Sequence, residues 1–305
     1  MPARNSSLMA VRVTHSSIKD ILSPHARKAE QDTRRWLIPD GAPASLAEAM
    51  EYCVLAGGKR LRPALVYMCA EAGGAAADDD LVSRAAAAIE FIHCYSLVHD
   101  DLPAMDNDVL RRGKPTAHVQ YGEAMAILAG DALLTRAFEV LACQSPKSWA
   151  LVAELAAAAG CAGMIAGQVA DMKLCSVPEG AEGLDYIHLR KTAALIRCSA
   201  RMGAIASGAG EAVVDCLGAY GEALGLAFQL VDDLLDATAC AAALGKTPGK
   251  DAAAGKRTHV VELGLDKAQS RAAELTRRAV NALSPLGQEA QRLRELALLL
   301  EQRTH

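Results

Sequence analysis

The sequence predicts an all-α protein, and three observations carry this prediction. Hydrophobic residues make up 51% of the chain but aromatic residues only 4%. Long stretches rich in Ala and Leu favour helices, and the β-branched and aromatic enrichment typical of strands is small. No linker divides the 305 residues. We therefore expect a single domain over residues 1–305, in which residues 1–15 form a disordered N-terminal extension.

Charge and cysteine content exclude several classes of partner. The net charge is -4 and the basic residues are scattered, so no continuous basic face predicts nucleic-acid binding. The nine cysteines form no CxxC pair, which indicates reduced, mostly buried thiols and a cytoplasmic protein. No uninterrupted apolar run reaches about 18 residues with clean flanks, so we expect no membrane span.

Periodicity and chain breakers give the elements in order. Residues 1–19 contain no acidic residue, which weakly resembles an organelle transit peptide, although we favour a frayed bacterial N-terminus. A first helix is expected over 16–36, followed by a turn at 38–43 with two prolines and a glycine. A second helix starts at Ser45, which forms a capping box with Glu48.

The motif GGKRLRP at 57–63 interrupts this second helix and starts a third. Pro63 falls in the first turn of that helix. Backbone N–H groups there have no partner within the helix, so the missing N–H of proline costs no hydrogen bond. After a small loop at 73–80, apolar periodicity predicts helices over 81–102 and 122–141. Further helices are expected over 147–173, 183–208, 211–237 and 267–304. The segment 244–258, rich in Gly and Lys, is a candidate lid.

A first cluster of carboxylates stands at the end of the helix over 81–102. Asp100, Asp101, Asp106 and Asp108 fall within nine residues, and such crowding is costly without a cation. In an ideal helix Asp106 would lie about 120° away from Asp100. Shared metal ligation therefore requires a distorted helix end, and Pro103 gives a reason for the distortion.

A second cluster, Asp232, Asp233 and Asp236, lies on an apolar helix. Asp232 and Asp236 are four residues apart and so share a face. Hard oxygen ligands without a companion His or Cys favour Mg²⁺ or Mn²⁺, often together with substrate phosphates. The alternative for each aspartate cluster is an acidic helix end that is exposed to solvent and binds nothing. Two runs with basic neighbours in apolar helices favour a diphosphate held between them.

The motifs resemble those of the trans-prenyltransferases, or polyprenyl diphosphate synthases, and among them the bacterial farnesyl diphosphate synthases. Those enzymes carry a first motif DDxxxxD and a second DDxxD. The resemblance covers roughly residues 45–265, with GGKRLRP at 57–63, IHCYSLVHDDLPAMDNDVLRRGKPTAH at 92–118, GQVAD at 167–171, RKT at 190–192, FQLVDDLLD at 228–236 and GK at 255–256. It implies a helical bundle of the isoprenoid synthase type around a central cavity for diphosphate and Mg²⁺.

The resemblance also implies residue roles. The diphosphate of isopentenyl diphosphate would be held by Lys59, Arg62, His93 and Arg112. The allylic diphosphate would contact Arg111, Gln168, Lys191, Thr192, Gln229, Lys246 and Lys256. The metal ligands would be Asp100, Asp106 and Asp232, with Asp101, Asp233 and Asp236 nearby or supporting. The implied cofactor is Mg²⁺, as three ions with bound diphosphate, and Mn²⁺ is a substitute. The alternative for His93 and the glutamines is that they only pack in the protein core. The alternative for the basic residues is that they are surface charges.

The implied activity is head-to-tail condensation of isopentenyl diphosphate with dimethylallyl or geranyl diphosphate. It gives mainly (2E,6E)-farnesyl diphosphate and diphosphate, through ionisation to an allylic carbocation, and the implied assembly is a homodimer. In bacterial farnesyl synthases an aromatic residue at the position of Tyr95 closes the product tunnel, with Ser96 beside it. The alternative is that Tyr95 only packs in the bundle. One departure is Thr258-His259-Val260, where many relatives have Thr-Tyr-Pro.

Three other functions stay open. A geranylgeranyl diphosphate synthase would differ in the length of its product. A class I terpene cyclase also uses an aspartate-rich motif, but it needs no second diphosphate pocket, and GGKRLRP and DDLLD argue against it. A non-catalytic subunit of the same fold would be favoured by damaged aspartate motifs, and both motifs are intact here.

Overall fold

The computed structural model describes residues 17–74, 79–244 and 258–302, most of them in helices. The first seven helices are α1 Ile18–Leu37, α2 Ala44–Val54, α3 Leu61–Ala72, α4 Asp80–Asp100, α5 Ala117–Tyr121, α6 Glu123–Leu141 and α7 Ser148–Ala159. The next seven are α8 Met164–Asp171, α9 Gly180–His188, α10 Ala194–Ser207, α11 Glu211–Leu244, α12 His259–Leu263, α13 Leu265–Ala282 and α14 Gln291–Gln302. The all-α prediction is confirmed.

Three short elements connect these helices. A hairpin of two-residue strands, β1 Leu110–Arg111 and β2 Lys114–Pro115, follows the first aspartate cluster and is the whole of the β-structure in the described ranges. A π-helical turn, Leu189–Ala193, joins α9 to α10. A 3-10 helix, Ser284–Ala290, joins α13 to α14.

Helix α4 is the centre of one half of the bundle. Its first turn is capped by the Asp79 side chain, which accepts hydrogen bonds from the backbone N–H groups of Leu81 and Val82 and so satisfies donors that the helix leaves unpaired. Residues 85–92 are all buried, because α1, α3, α6 and α10 pack around α4. A helix buried on all sides is held firmly. The end of α4 at Asp100 is therefore fixed in position.

Helix α10 joins the two larger hydrophobic cores among the described residues. Leu195, Cys198 and Met202 face the core built around α4 and α6, whereas Ile196 and Ala200 face the core built around α11, α13 and α14. Both sets are buried, so α10 is apolar on two faces. The π-helical turn at its start is consequently held between the two halves of the bundle.

Several predicted boundaries were wrong. Ser45 makes no capping box, because α2 begins at Ala44 after Pro43 and has no side-chain cap. The helix predicted over 147–173 is two helices, divided at Gly160 and Gly163, since glycine favours helix ends. The helix predicted over 267–304 is divided by the 3-10 segment, which has a proline in its first turn. The hairpin, α5 and α12 were not predicted.

Two segments, Asp80–Asp100 and Ser148–Asp171, are long and apolar enough to cross a membrane by length and composition. Charged residues interrupt both segments, Arg84 and Glu90 in the first and Glu154 in the second, so neither is an uninterrupted apolar run of the predicted kind. Helix α4, the first segment, is 72% buried inside the bundle over its most apolar window, as the core helix of a globular protein is. The second segment is α7 and α8 with the glycine break between them.

The cysteines in the described ranges are free thiols of mixed exposure. Cys69, Cys94 and Cys198 are buried, while Cys161 and Cys175 are exposed. Burial raises the pKa of all three buried thiols above its ordinary value, because the charged thiolate is disfavoured away from water. These three cysteines therefore act as small apolar core residues.

A buried ion pair fixes the start of α3. Arg60, in left-handed backbone conformation, donates one hydrogen bond to the Glu90 carboxylate on α4 and another to the Val54 carbonyl. Both partners are almost fully buried, with Arg60 7% and Glu90 3% exposed. Removing one partner of such a pair leaves an uncompensated buried charge.

We predict that Glu90→Gln lowers the free energy of unfolding by about 3–5 kcal/mol, the cost of breaking a buried pair from one side. Urea denaturation followed by circular dichroism measures this loss. The matched control is Glu30→Gln, which removes an exposed i,i+4 partner of Arg34 and should cost less than about 1 kcal/mol. Equal losses in the two variants would contradict the role given to Glu90.

Candidate active site

A cavity of about 600 Å³ lies beside the end of α4. Its walls come from α4, α6, α8 and the π-helical turn. The polar residues that line it are Arg62, His93, Tyr95, Ser96, His99, Asp100, Asp131, Gln168, Lys191 and Thr192. The remaining lining is mostly aliphatic, with Leu97, Met105, Leu134, Met164, Ile165, Val169, Met172, Leu174 and Leu195. An apolar chamber with polar groups gathered at one part of its wall suits a ligand with an apolar tail and a polar head.

The end of α4 brings Asp100 and Asp106 together. The helix stops at Asp100, and the backbone N–H of Asp106 donates to the Asp100 carbonyl at 2.8 Å. The next residue, Asn107, has φ of 54° and turns the chain away. The two residues are therefore brought into backbone contact although the sequence separates them by six positions, and the charge of Asp106 acts on Asp100. The predicted distortion of the helix end after Asp100 is confirmed.

Asp100 is oriented by a neighbouring helix and is hard to ionise. Gln168 of α8 donates from Nε2 to Asp100 Oδ1 at 2.8 Å. Burial raises the pKa of Asp100 to about 6; Lys191 opposes this, while the charges of Asp106 and Asp101 add to it. A cation would relieve this cost, because it favours the charged form.

Asp101 plays a different part. It is 3% exposed, and both of its oxygens accept hydrogen bonds from the Arg111 guanidinium at distances between 2.5 and 2.9 Å. Such a forked pair is geometrically specific. Asp101 therefore takes the supporting position beside the metal ligands, and its partner Arg111 is held at the hairpin next to the cluster.

The π-helical turn carries Lys191 and Thr192 to the cavity. Lys191 donates from Nζ to Asp171 at the end of α8, and Thr192 donates from Oγ1 to Gln229 Oε1 of α11 at 3.1 Å. Helix α8 comes so close that a Cβ on Gly167 would stand 2.2 Å from the Lys191 backbone nitrogen. Only glycine fits there. A π turn in a helix is often found at functional sites.

The second cluster lies on α11, one helical turn after Gln229. Asp232 is half-buried and Asp236 exposed, on the shared face that their spacing predicts. Asp233 is buried and accepts hydrogen bonds from Gln229 Nε2 at 3.2 Å and from the His259 backbone N–H at 3.3 Å. Burial opposes the charge on Asp233, but its contacts with His259 and Gln229 and the nearby His188 outweigh the burial and lower its pKa.

Asp100, Gln168, Lys191 and Thr192 line one largely apolar chamber, and the Thr192–Gln229 bond links it to α11, the helix that carries the second aspartate cluster. The polyprenyl synthetase family model matches residues 43–295. The chain belongs to the polyprenyl synthetase family.

Known members of the family are similar over most of their length. Farnesyl diphosphate synthase of Escherichia coli (strain K12) is 43% identical over 274 residues, which cover 87% of this chain and 90% of that protein. Geranylgeranyl pyrophosphate synthase 11, chloroplastic, of Arabidopsis thaliana is 45% identical over 282 residues, covering 88% and 78%. The apo crystal structure of an FPP/GFPP synthase from Zymomonas mobilis matches with a TM-score of 0.79 at 37% identity, covering 92% and 97%.

The basic residues of this polyprenyl synthetase do not all face the same cavity. Arg62 and His93 line the cavity beside Asp100. Lys59 instead lies at a second cavity, of about 560 Å³, between α1, α3, α11 and α14. Arg112, in the turn of the hairpin, donates to the Gly57 carbonyl. It therefore lies beside the loop that carries Lys59. Lys246, Lys256 and most of the candidate lid lie outside the described residues.

The electrostatics around His93 keep it neutral. Burial lowers the pKa of His93 well below its ordinary value, and the charges of Arg62 and Arg112 act in the same direction. Burial also lowers the pKa of Arg62, while Glu90 opposes this. A buried cation without a facing anion is costly. An incoming diphosphate would supply that anion.

The donor set at the aspartate clusters fits Mg²⁺, the ion that the family uses to bind diphosphate. Asp100 and Asp106 offer adjacent carboxylates, and Asp232 offers a third from α11. These are hard oxygen ligands, and Mg²⁺ binds through one or two carboxylates together with substrate phosphates. Burial is the main cause of the raised pKa of Asp100, and a bound cation would offset it.

His188, Asp185 and His259 surround Asp233, and none of them was predicted as a site residue. His259 Nε2 lies 3.0 Å from Asp185 Oδ1, and the rings of His188 and His259 are 4.9 Å apart between centroids. The only available signal was the departure at His259 from the family pattern. Three separate segments of the chain meet at this point, and the spacing of the residues along the chain does not show that.

We predict that Mg²⁺ binding to the metal-free protein weakens as the pH falls through about 6. Below that value the Asp100 carboxyl is protonated, and Mg²⁺ must displace its proton. The apparent affinity should fall by up to about tenfold per pH unit below 6 and change little above 7. Isothermal titration with Mg²⁺ alone at several pH values measures it.

Asp100→Asn should remove this pH dependence together with much of the affinity. The control is Asp108→Asn, because Asp108 belongs to the same run but is exposed and should leave the pH dependence in place. An unchanged pH profile in Asp100→Asn would contradict the assignment.

Proposed function

We propose that this polyprenyl synthetase condenses isopentenyl diphosphate with dimethylallyl or geranyl diphosphate and makes mainly (2E,6E)-farnesyl diphosphate. The observation that carries the proposal is the arrangement along α4. Asp100 and Tyr95 both line the cavity, and five residues separate them, about 7.5 Å along the helix axis. This distance would limit the length of an apolar tail that extends from a diphosphate bound near Asp100 towards Tyr95.

The residues of the site have distinct parts in this reaction. Bound Mg²⁺ would neutralise the allylic diphosphate and help it leave. Gln168 orients Asp100, and Lys191 brings a positive charge to the departing group. Thr192, whose hydroxyl donates to Gln229, would help the Lys191 backbone to face the developing allylic cation. The aliphatic lining excludes water, which would otherwise capture the cation.

The second substrate would approach from the basic side of the cavity. Arg62, His93 and Arg112 are placed to hold its diphosphate, with His93 as a neutral hydrogen-bond donor. The isopentenyl double bond then attacks the allylic cation, a new carbon–carbon bond forms, and a proton leaves to the released diphosphate. Positioning and electrostatics carry this catalysis without a covalent intermediate on the protein.

Tyr95 is proposed to set the length of the product. It is 6% exposed and packs edge-on against His99, with ring centroids 5.8 Å apart. Its hydroxyl has no hydrogen-bond partner among the described residues. A packing role would ordinarily pair this hydroxyl with a neighbour. Ser96 lines the cavity one residue later and donates to the His93 carbonyl at 2.9 Å.

A geranylgeranyl product is the second candidate. The 45% identity to an Arabidopsis geranylgeranyl pyrophosphate synthase favours it, whereas the Escherichia coli relative at 43% is named a farnesyl diphosphate synthase. Sequence identity therefore does not separate the two products. The proposal rests instead on Tyr95 in the cavity lining, because an aromatic ring there favours the shorter product.

The direct test is turnover. Purified protein is incubated with Mg²⁺, isopentenyl diphosphate and dimethylallyl or geranyl diphosphate, with and without a chelator, and the product chain length is determined. The proposal expects metal-dependent farnesyl diphosphate. A twenty-carbon product would overturn the role of Tyr95 alone, and a cyclic hydrocarbon or no turnover would overturn the proposal.

We predict that Tyr95→Ala shifts the main product from fifteen to twenty or more carbons, because removing the ring lengthens the cavity. Tyr95→Phe keeps the ring and removes only the unpaired hydroxyl, so its product should be that of the unchanged protein. Chromatography of the dephosphorylated products distinguishes these lengths. An identical spectrum for all three proteins would contradict the assignment.

We predict that Gly58→Ala raises KM for isopentenyl diphosphate by about 10- to 100-fold, the worth of a hydrogen bond to a charged group. At φ of +128° an added Cβ would stand 2.5 Å from Arg112 Nη1 and displace the guanidinium. Gly57→Ala is the control, since Gly57 also has positive φ but its Cβ would meet nothing within 4 Å. Steady-state kinetics with saturating allylic substrate compares the two. Equal effects would count against Arg112.

A homodimer is also proposed, and it is supported by exposed apolar residues beside the cavity. Ile127 and Leu128 of α6, Ile165 of α8 and Leu174 are all exposed. Leu128→Asp should shift the protein from dimer to monomer in light scattering, because a charge would be buried in the interface. Val261→Asp, at an exposed apolar position on α12, is the control. A monomeric unchanged protein would contradict the proposal.

A further inference from the structure

A cluster of potential metal ligands lies apart from the first aspartate cluster and from the face of α11 that carries Asp232 and Asp236. His188 at the end of α9, Asp233 on α11 and His259 at the start of α12 each place one ligand atom within 4.8 Å of the others. We propose that these three side chains form a binding site for a divalent transition-metal ion such as Zn²⁺, distinct from the Mg²⁺ ligands of the reaction.

The strongest argument is the orientation of His259. Its Nε2 lies 3.0 Å from Asp185 Oδ1. A carboxylate only accepts, so Nε2 carries the proton in this arrangement and Nδ1 is left with a lone pair. His259 is 2% exposed, and its Nδ1 has no hydrogen-bond partner. This lone pair lies 3.7 Å from Asp233 Oδ2. In this neutral tautomer two acceptors face each other in a buried place, and a cation between them, either a metal ion or a second proton on the imidazole, removes the repulsion.

The ligands are already held by their neighbours. Asp185, which orients His259, is itself bound by Arg271 of α13. A carboxylate that accepts from a histidine and so fixes its tautomer is the usual outer support of a histidine metal ligand. On the other side Gln229 holds Asp233 Oδ1 at 3.2 Å, while Oδ2 accepts from the His259 backbone N–H at 3.3 Å and so lies beside His259.

His188 completes the set. Its ring lies 4.9 Å from that of His259 between centroids, tilted by 53°. Burial lowers its pKa to about 4, so it is a neutral imidazole at pH 7, the form that binds metals. Two imidazole nitrogens and one carboxylate oxygen suit Zn²⁺ and its neighbours in the first transition series, whereas Mg²⁺ prefers oxygen alone.

The geometry requires only a small closure. Metal–ligand bonds of about 2.0–2.2 Å in a tetrahedral site place the ligand atoms roughly 3.3–3.6 Å apart. The side chains would therefore move together by about 1 Å, with a fourth position left for water. The bound ion would tie α9, α11 and α12 to one another. We therefore expect it to stabilise the folded protein.

The test uses the full-length protein, stripped with a chelator and then supplied with saturating Mg²⁺. Isothermal titration with Zn²⁺ should show one site per chain, and Zn²⁺ should raise Tm. His259→Phe should weaken this binding at least about 100-fold, the loss expected for one ligand, and abolish the rise in Tm. The control is His118→Gln on α5, a histidine remote from the cluster in the chain, which should leave both unchanged.

Two further measurements keep the result interpretable. His188→Gln is the second variant if His259→Phe does not fold, and it should show the same loss. Co²⁺ in place of Zn²⁺ should give visible absorption without a sulfur-to-metal charge-transfer band. Such a band, together with equal Zn²⁺ binding in all variants, would assign the ion to the exposed Cys161 and Cys175 and overturn the proposal. So would the absence of Zn²⁺ binding. The result does not depend on prenyl transfer, because binding is measured without substrate.

Discussion

The burial of closely spaced carboxylates at the end of a packed helix is the constraint on which the site depends. Asp100, Asp101 and Asp106 are held together because α4 is packed on all sides and the chain turns back beneath its end. Burial, and to a smaller extent the neighbouring carboxylates, disfavours the charge on Asp100 and raises its pKa. The cation Arg111 and the amide of Gln168 offset part of the cost. A bound metal ion and a diphosphate would offset the rest of this electrostatic cost. The free energy of that offset would contribute to their binding.

The fold turns this local constraint into a site by holding a second group of residues opposite the first. Helix α10 is buried on two faces, so the π turn at its start is fixed between the two cores. Close approach of α8 at Gly167 sets the backbone of Lys191, and the Thr192–Gln229 bond links that turn to α11 and its aspartates. The helix that ends in Asp100 also carries Tyr95. One rigid element thus determines both where the head of a substrate lies and how far its tail extends.

Much of this was predictable because it depends on spacing along one helix. The aspartate clusters, the helix end at Asp100 and the position of Tyr95 follow from periodicity and from Pro103. The Asp101–Arg111 pair was not predictable, since the sequence makes them near neighbours without giving the direction of either side chain. The position of Lys59 on a second cavity depends on the left-handed backbone of Arg60. The His188–Asp233–His259 cluster depends on the packing of three separate segments, which no local pattern reports.

The central claim is that the aspartates of α4 and α11 hold divalent ions around one diphosphate. Its most direct measurement is anomalous diffraction from crystals of the protein soaked with Mn²⁺ and pyrophosphate. The account predicts Mn²⁺ peaks at Asp100 and Asp106 and at Asp232, with the pyrophosphate bridging them. Peaks at one cluster alone, or a pyrophosphate bound away from both, would contradict it.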